Sequence, residues 1–153
     1  WSKLPASGMD RSAAEAYTSW LRRSGRLSGA RLCSELEWER AARGADAREH
    51  PQGNLIDGTE ANIDESYGRD NMGPDEVGRF PASQSPFGVH DMAGNVNEWV
   101  RSALDSSEAV IKGGGFFYNI ITARSTNHSA VPANIHDPTF GFRVCGDLPP
   151  TAP

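Results

Sequence analysis

Only two cysteines occur among the 153 residues, Cys33 and Cys145, and they stand far apart. That excludes a small disulfide-rich scaffold and a CxxC metal or redox motif. The two either pair across a long loop, contributing about 3–5 kcal/mol through the unfolded state, or remain as free buried thiols. No apolar run approaches the ~20 residues of a membrane-spanning helix. There is no basic excess either: 15 Lys and Arg face 20 Asp and Glu, for a net charge of -5. The electrostatic footprint of a nucleic-acid-binding surface is therefore missing. Lysine is scarce beside arginine, which we read as genomic codon bias. The chain opens on Trp1 with neither an initiator Met nor a signal-peptide pattern, as expected of a processed product or a piece of a longer protein.

What is present is a single domain's length, with 16 Gly and 10 Pro beside 37% apolar residues, a composition rich in loops. Two helices stand out. Asp10–Arg23 places Ala13, Ala14, Tyr17, Trp20 and Leu21 on one face, capped by Asp10 or Ser12 and ended by Gly25. The second starts at Ser34, which Glu37 answers three residues on, carries Leu36, Trp38, Ala41 and Ala42, and stops at Gly44. From Ala45 to about Ser107 neither helical nor strand period persists, yet Tyr67, Phe80, Phe87 and Trp99 recur as anchors, so the region reads as ordered functional loops. Short strands are predicted at Val77–Phe80, Ala109–Gly113, Thr122–Ser125 and Phe140–Cys145. The fold class is α+β, with two helices, a small antiparallel sheet and extensive irregular loops. Leu148–Pro153 reads as a tail or linker.

The stretch Phe87–Val100, FGVHDMAGNVNEWV, is too polar for a core strand and too broken by glycine for a helix. Asp91, Gly94, Asn95 and Glu98 bring hard oxygen donors around a turn, and calcium takes six to eight such oxygens, mixing carboxylates with carbonyls. A cation is expected to hold this loop, unless its polar groups only bond to one another.

Five motifs in order resemble one family: RLCSELEWERAARG (Arg31–Gly44), the Phe87–Val100 stretch, KGGGFF (Lys112–Phe117), ARS (Ala123–Ser125) and FGFRVC (Phe140–Cys145). Together they are similar to the sulfatase-modifying-factor domain of the formylglycine-generating-enzyme family, a variant of the C-type lectin fold. The resemblance spans roughly Pro5 to Gly146, as a domain at 1–147 from which the family's N-terminal, strand-rich portion is absent. It implies structural calcium at two places. One uses the side chains of Asp91 and Glu98 and the carbonyls of Gly94 and Val96, with Asn95 bracing the turn. The other uses Asn62, the Ile63 carbonyl, Asp70 and the Met72 carbonyl, with Asp64 or Asp75 as substitutes for Asp70.

Family members that make formylglycine bind copper through two cysteines after the GGS-like motif. Here that segment, GGGFFYNIITARS, has none, and Tyr118 stands near the first position. Soft Cu(I) wants thiolates, so the reaction is not expected. A second branch binds iron through a histidine triad, but His50, His90, His128 and His136 lack its spacing, and His128 and His136 read as exposed loop residues. GGG at Gly113–Gly115 lacks the lysine and helix of a P-loop. Arg124 and Arg143, in the RS and GFR motifs, read as buried guanidinium forks on loop oxygens. No catalytic residue is assigned.

On the family's fold, Phe116, Phe117, Tyr118 and Asn119 would line a ligand groove with Asn127, His128 and His136. Aromatic and amide side chains of this kind suit adaptable recognition. The implied function is a non-enzymatic module that binds a peptide, protein or small-molecule ligand on a calcium-stabilised lectin-like scaffold. It would be the sensory part of a larger bacterial protein, such as a Ser/Thr kinase, or a diversified variable protein. The alternative is a metal-dependent oxidoreductase of the formylglycine-generating or non-haem iron type. Calcium and a possible disulfide lean toward an extracytoplasmic location.

Overall fold

The computed structural model describes residues 3–105 and 107–147, apart from the side chain of Arg69; the expected tail lies outside them. Helix α1, Arg11–Arg23, begins where the Asp10 carboxylate accepts the Ala13 N–H at 2.8 Å. Ala14 and Thr18 form its buried stripe, whereas Tyr17 and Trp20 stay half-exposed. Tyr17 meets Phe142 edge-on, and Arg26 lies over the Trp20 ring. Helix α2, Glu35–Arg43, carries the full capping box: Ser34 Oγ accepts from Glu37 N, and Glu37 Oε2 accepts from Ser34 N. Its Trp38 and Ala42 are buried, but Leu36 points to solvent. A third, one-turn helix, α3, occupies Asp64–Tyr67.

Strand β1, Arg31–Leu32, pairs antiparallel with β6, Val144–Cys145. The main sheet has the order β4-β3-β2-β5, formed by β2 (Asn97–Arg101), β3 (Ala109–Lys112), β4 (Ser129–Ala130) and β5 (Phe140–Phe142). This sheet is mixed, which corrects the antiparallel expectation: β5 runs parallel to β2. The chain leaves β4 at one end and residues 131–139 carry it back across the α1 face, so β5 re-enters in the β2 direction. Val131 and Ile135 of that crossover pack on the core beside Ala14 and Trp99.

Strand β2 is the larger correction, because the polar Phe87–Val100 stretch, unfit by composition for a core strand, supplies residues 97–100 of it. The central strand is covered on both faces. Trp99 and its partner Ile111 face the cluster of Ala14, Leu32 and Phe140, while Val100 and Val110 face Trp38, Ala42 and Met92 under α2. Glu98 survives there because Trp38 and Arg143 partner its carboxylate, whereas the buried Asn97 Nδ2 has no hydrogen-bond partner. The Ala109–Gly113 and Phe140–Cys145 predictions hold, the latter split at Arg143. The other two fail. Gly78 turns the backbone at φ 77 just after Val77, and Asn119 caps a 3-10 turn at Ile120–Ala123 by accepting the Ile121 N–H.

Lys112 shows how far the pairing goes. It is 0% exposed, with Nζ 3.4 Å from Glu39 Oε2 and 3.7 Å from Glu35 Oε1, over the Trp38 ring. Glu35 and Glu39 are one helical turn apart, which brings both carboxylates to the same lysine. Burial pushes the Glu35 carboxyl up, but the His128 hydrogen bond, the Ala103 N–H and the Lys112 charge outweigh it and hold the group below its ordinary value. Cys33 and Cys145 are bonded, with Cα atoms 4.9 Å apart, which resolves the choice between a bridge and free thiols.

Candidate functional site

Two loops rich in oxygen donors lean on one another. Asn62 and Gly94 form a parallel bridge, and Asn95 N donates to Asn62 O at 2.7 Å. Gly94 has φ 77, and a Cβ there would lie 2.4 Å from Asn62 O, so both the backbone angle and the close approach demand glycine. Asn95, also at positive φ, braces the turn: its Oδ1 accepts the Asp75 N–H at 2.9 Å, and its carbonyl accepts the Phe116 N–H.

In the first loop Asn62 is 1% exposed and its Nδ2 donates to Gly73 O at 2.8 Å. Its Oδ1 is buried with no hydrogen-bond partner, and so is Asp64 Oδ1. Asp70 sits exposed in the turn Arg69–Asn71. Asp75 is engaged, its Oδ2 accepting the Tyr67 hydroxyl at 2.7 Å. The Ile63 carbonyl accepts the Ser66 N–H at 3.0 Å, which leaves it a second lone pair.

In the second loop Asp91 Oδ2 accepts the Gly78 N–H at 2.7 Å. Glu98 is buried, and Trp38 Nε1 donates to its Oε2 at 2.6 Å. Arg143 forks it, Nη2 to Oε1 at 2.8 Å and Nε to Oε2 at 3.1 Å, and Nη2 also donates to the His90 carbonyl. Burial disfavours the Arg143 cation, but the Glu98 charge and hydrogen bonds dominate and hold its pKa above the ordinary value. A carboxylate offers about four lone-pair positions; three are used, and the remaining one belongs to Oε1. Asp91, Val96, Glu98 and Arg143 line a cleft of about 620 Å³ beside Pro5 and Phe142. Among the described residues no group of three or more His, Cys, Asp or Glu converges as a metal site. The loops instead offer amide, carbonyl and carboxylate oxygens, the donor types that calcium takes.

The residues expected to form a groove are only partly brought together. Phe116 is buried, whereas Phe117 is exposed and meets Tyr118 edge-on, their ring centroids 6.0 Å apart. The Tyr118 carbonyl accepts the Asp64 N–H, tying this surface to the first loop. Asn119 serves as the cap already described. Asn127 donates to Ser129 Oγ. His128 lies 2.7 Å from Glu35 and 3.5 Å from Glu108, and His136 bonds to the Asn134 carbonyl of its own loop. Arg143 is the expected fork. Arg124 is not: it is half-exposed, 3.2 Å from Glu49 Oε2, because it follows a surface turn.

His50 carried no signal in its polar surroundings, yet it is 3% exposed, with Nδ1 3.2 Å from the Ala123 carbonyl. Burial is the largest cause of a pKa below 6.5, the Ala123 bond opposing it. The buried neutral ring thus contributes stability that is full above about pH 6.5 and lost as pH falls through the folded-state pKa. The urea midpoint is expected to drop as pH falls below about 6.5, and His50→Gln to flatten that drop.

Comparison with known proteins agrees with this architecture. The chain matches the sulfatase-modifying factor enzyme 1-like domain over residues 1–148. It is 36% identical over 100 residues to the serine/threonine-protein kinase pkn1 of Chlamydia caviae, covering 65% of this chain and 14% of that protein. It is 37% identical over 95 residues to hercynine oxygenase of Mycolicibacterium thermoresistibile, covering 60% and 19% respectively. The chain therefore spans a minor part of either relative. Among solved structures, Treponema denticola variable protein 1 superposes with a TM-score of 0.81 at 17% identity, over 93% of this chain and 70% of that one, and so shares the lectin-like fold. The chain belongs to the sulfatase-modifying factor enzyme 1-like domain family.

Proposed function

We propose that this domain is a non-enzymatic recognition module whose loops are braced by calcium. One observation carries the reading. Asn62 Oδ1 and Asp64 Oδ1 are buried without partners, in the loop that touches the exposed Phe117–Asn119 surface through Asp64 N and the Tyr118 carbonyl. An unsatisfied buried acceptor costs about 1–3 kcal/mol, and more when charged, and a hard cation removes that cost. Asn62, the Ile63 and Met72 carbonyls and a carboxylate from Asp70 or Asp64 would hold one ion; Asp91, Glu98 and the Gly94 and Val96 carbonyls would hold another. The bound ions would order the loops that present the ligand surface. Both cysteines are spent in the disulfide, which speaks against a thiolate copper centre and favours an oxidising compartment. The similarity to a kinase fits a sensory role within a larger bacterial protein.

Calcium is expected in the purified protein at one or two equivalents, with a thermal midpoint that falls on chelation. At a hundredfold excess over Kd, one ion adds about 2.7 kcal/mol. Asn62→Ala should abolish the response of the first ion, and comparing Asp64→Asn with Asp70→Asn identifies its carboxylate. The second reading, a metal-dependent oxidoreductase, draws on the similarity to hercynine oxygenase. Stoichiometric iron or copper in place of calcium would establish it and overturn the recognition module.

A further inference from the structure

Residues 49–56 and the turn Ile120–Ala123 enclose a second cleft, of about 320 Å³. Three contacts stitch its walls. Ser125 N donates to the Glu49 carbonyl at 2.8 Å, His50 Nδ1 bonds to the Ala123 carbonyl, and Arg124 pairs with Glu49. The cleft is thus formed before anything enters it. Its lips are apolar and face water, with Leu55 86% and Ile121 59% exposed. Behind them Ile56 and Ile120 belong to a small core with Ala61, Ile63 and Ala93, so the lips stand on a firm base.

The floor is His50. A carbonyl can only accept, so Nδ1 carries the proton and the neutral ring presents a lone pair at Nε2. No described residue pairs with that nitrogen, although the ring lines the cleft and is almost wholly buried. An unmatched acceptor on the cleft floor, between two exposed aliphatic lips, selects for a flat apolar group that ends in a donor.

Resting on the recognition reading above, we propose that this cleft receives a donor-tipped aromatic side chain, tyrosine or tryptophan, from an exposed peptide segment. The phenol O–H or indole N–H donates to His50 Nε2, and the ring lies between Leu55 and Ile121. The rim favours a peptide over a free phenol. Asn54, Glu49 and Arg124 line it, and the last two are half-exposed charges of opposite sign that can meet backbone amides.

The test is an NMR titration of the isotope-labelled, calcium-loaded chain with the acetylated, amidated tripeptides Gly-Tyr-Gly and Gly-Phe-Gly, and with p-cresol. The tyrosine peptide is expected to shift the Leu55, Ile120 and Ile121 methyl signals and His50 Nε2, and to bind about tenfold more tightly than the phenylalanine peptide. Leu55→Asp, at an exposed position that leaves the fold intact, should abolish these shifts. Equal affinity for the two peptides, or shifts centred on Phe117 instead, would overturn the cleft while leaving a calcium-braced module standing. Cresol binding as tightly as the tyrosine peptide would overturn the peptide source. Loss of the recognition reading itself has a separate signature, iron or copper in the metal analysis.

Discussion

Removing the disulfide, as Cys33→Ala with Cys145→Ala, is expected to lower the unfolding free energy by about 4–5 kcal/mol, measured from guanidinium midpoints. The bridge spans 112 residues, and in the chain-entropy account a loop of that length constrains the unfolded chain by about this amount. Location adds to the effect. Cys33 lies in the buried cluster with Trp38, Met92 and Val100, on which Cys145 packs, and Cys145 belongs to a strand of only two residues. Two ladder pairs with β1 are all that otherwise tie that strand into a sheet. Reducing the native protein should reproduce the loss seen in the double variant. A loss below about 1 kcal/mol in both would mean that the unfolded state is already compact and the loop entropy small.

Arg143→Ala is expected to cost about 3–5 kcal/mol, the range for breaking a buried ion pair by deleting one partner. Glu98 would keep the Trp38 N–H but lose both guanidinium contacts while remaining buried on the central strand. Arg143→Lys should rescue little, because an ammonium cannot fork the carboxylate. Glu98→Gln combined with Arg143→Met removes both charges and should sit much closer to the parent in thermal midpoint. In the calcium-braced reading this double variant also weakens or loses the second ion, since Glu98 supplies one of the two carboxylates there, beside Asp91. Calcium stoichiometry measured beside stability separates the two roles. An Arg143→Ala protein as stable as the parent would show that Glu98 tolerates burial without the fork.

The helices were legible because their signals are local. Ser34 and Glu37 meet within one turn, and Asp10 reaches a backbone N–H three residues on, so neighbouring residues alone decide where α1 and α2 begin. Strand β2 was not legible for the opposite reason. Glu98 looks unfit for a core strand until Trp38, 60 residues away, and Arg143, 45 residues away, arrive to satisfy it. The failed strand at Thr122–Ser125 and the misplaced Arg124 have one origin: Ala123 and Ser125 are buried while Arg124 faces outward, an alternation that imitates a strand although Asn119 caps a 3-10 turn there.

The loop chemistry divides in the same way. Residue types alone announced oxygen donors around Asp91, and the order of the five motifs announced the family and, through it, the Asn62 loop. Which of those oxygens go unpartnered, and that His50 forms the floor of a cleft, depend on chain segments far apart in sequence. Hydrogen bonding within one turn is written in neighbouring residues. Burial, pairing across a sheet and the partner of a charge are properties of three-dimensional proximity, which the tertiary fold alone supplies.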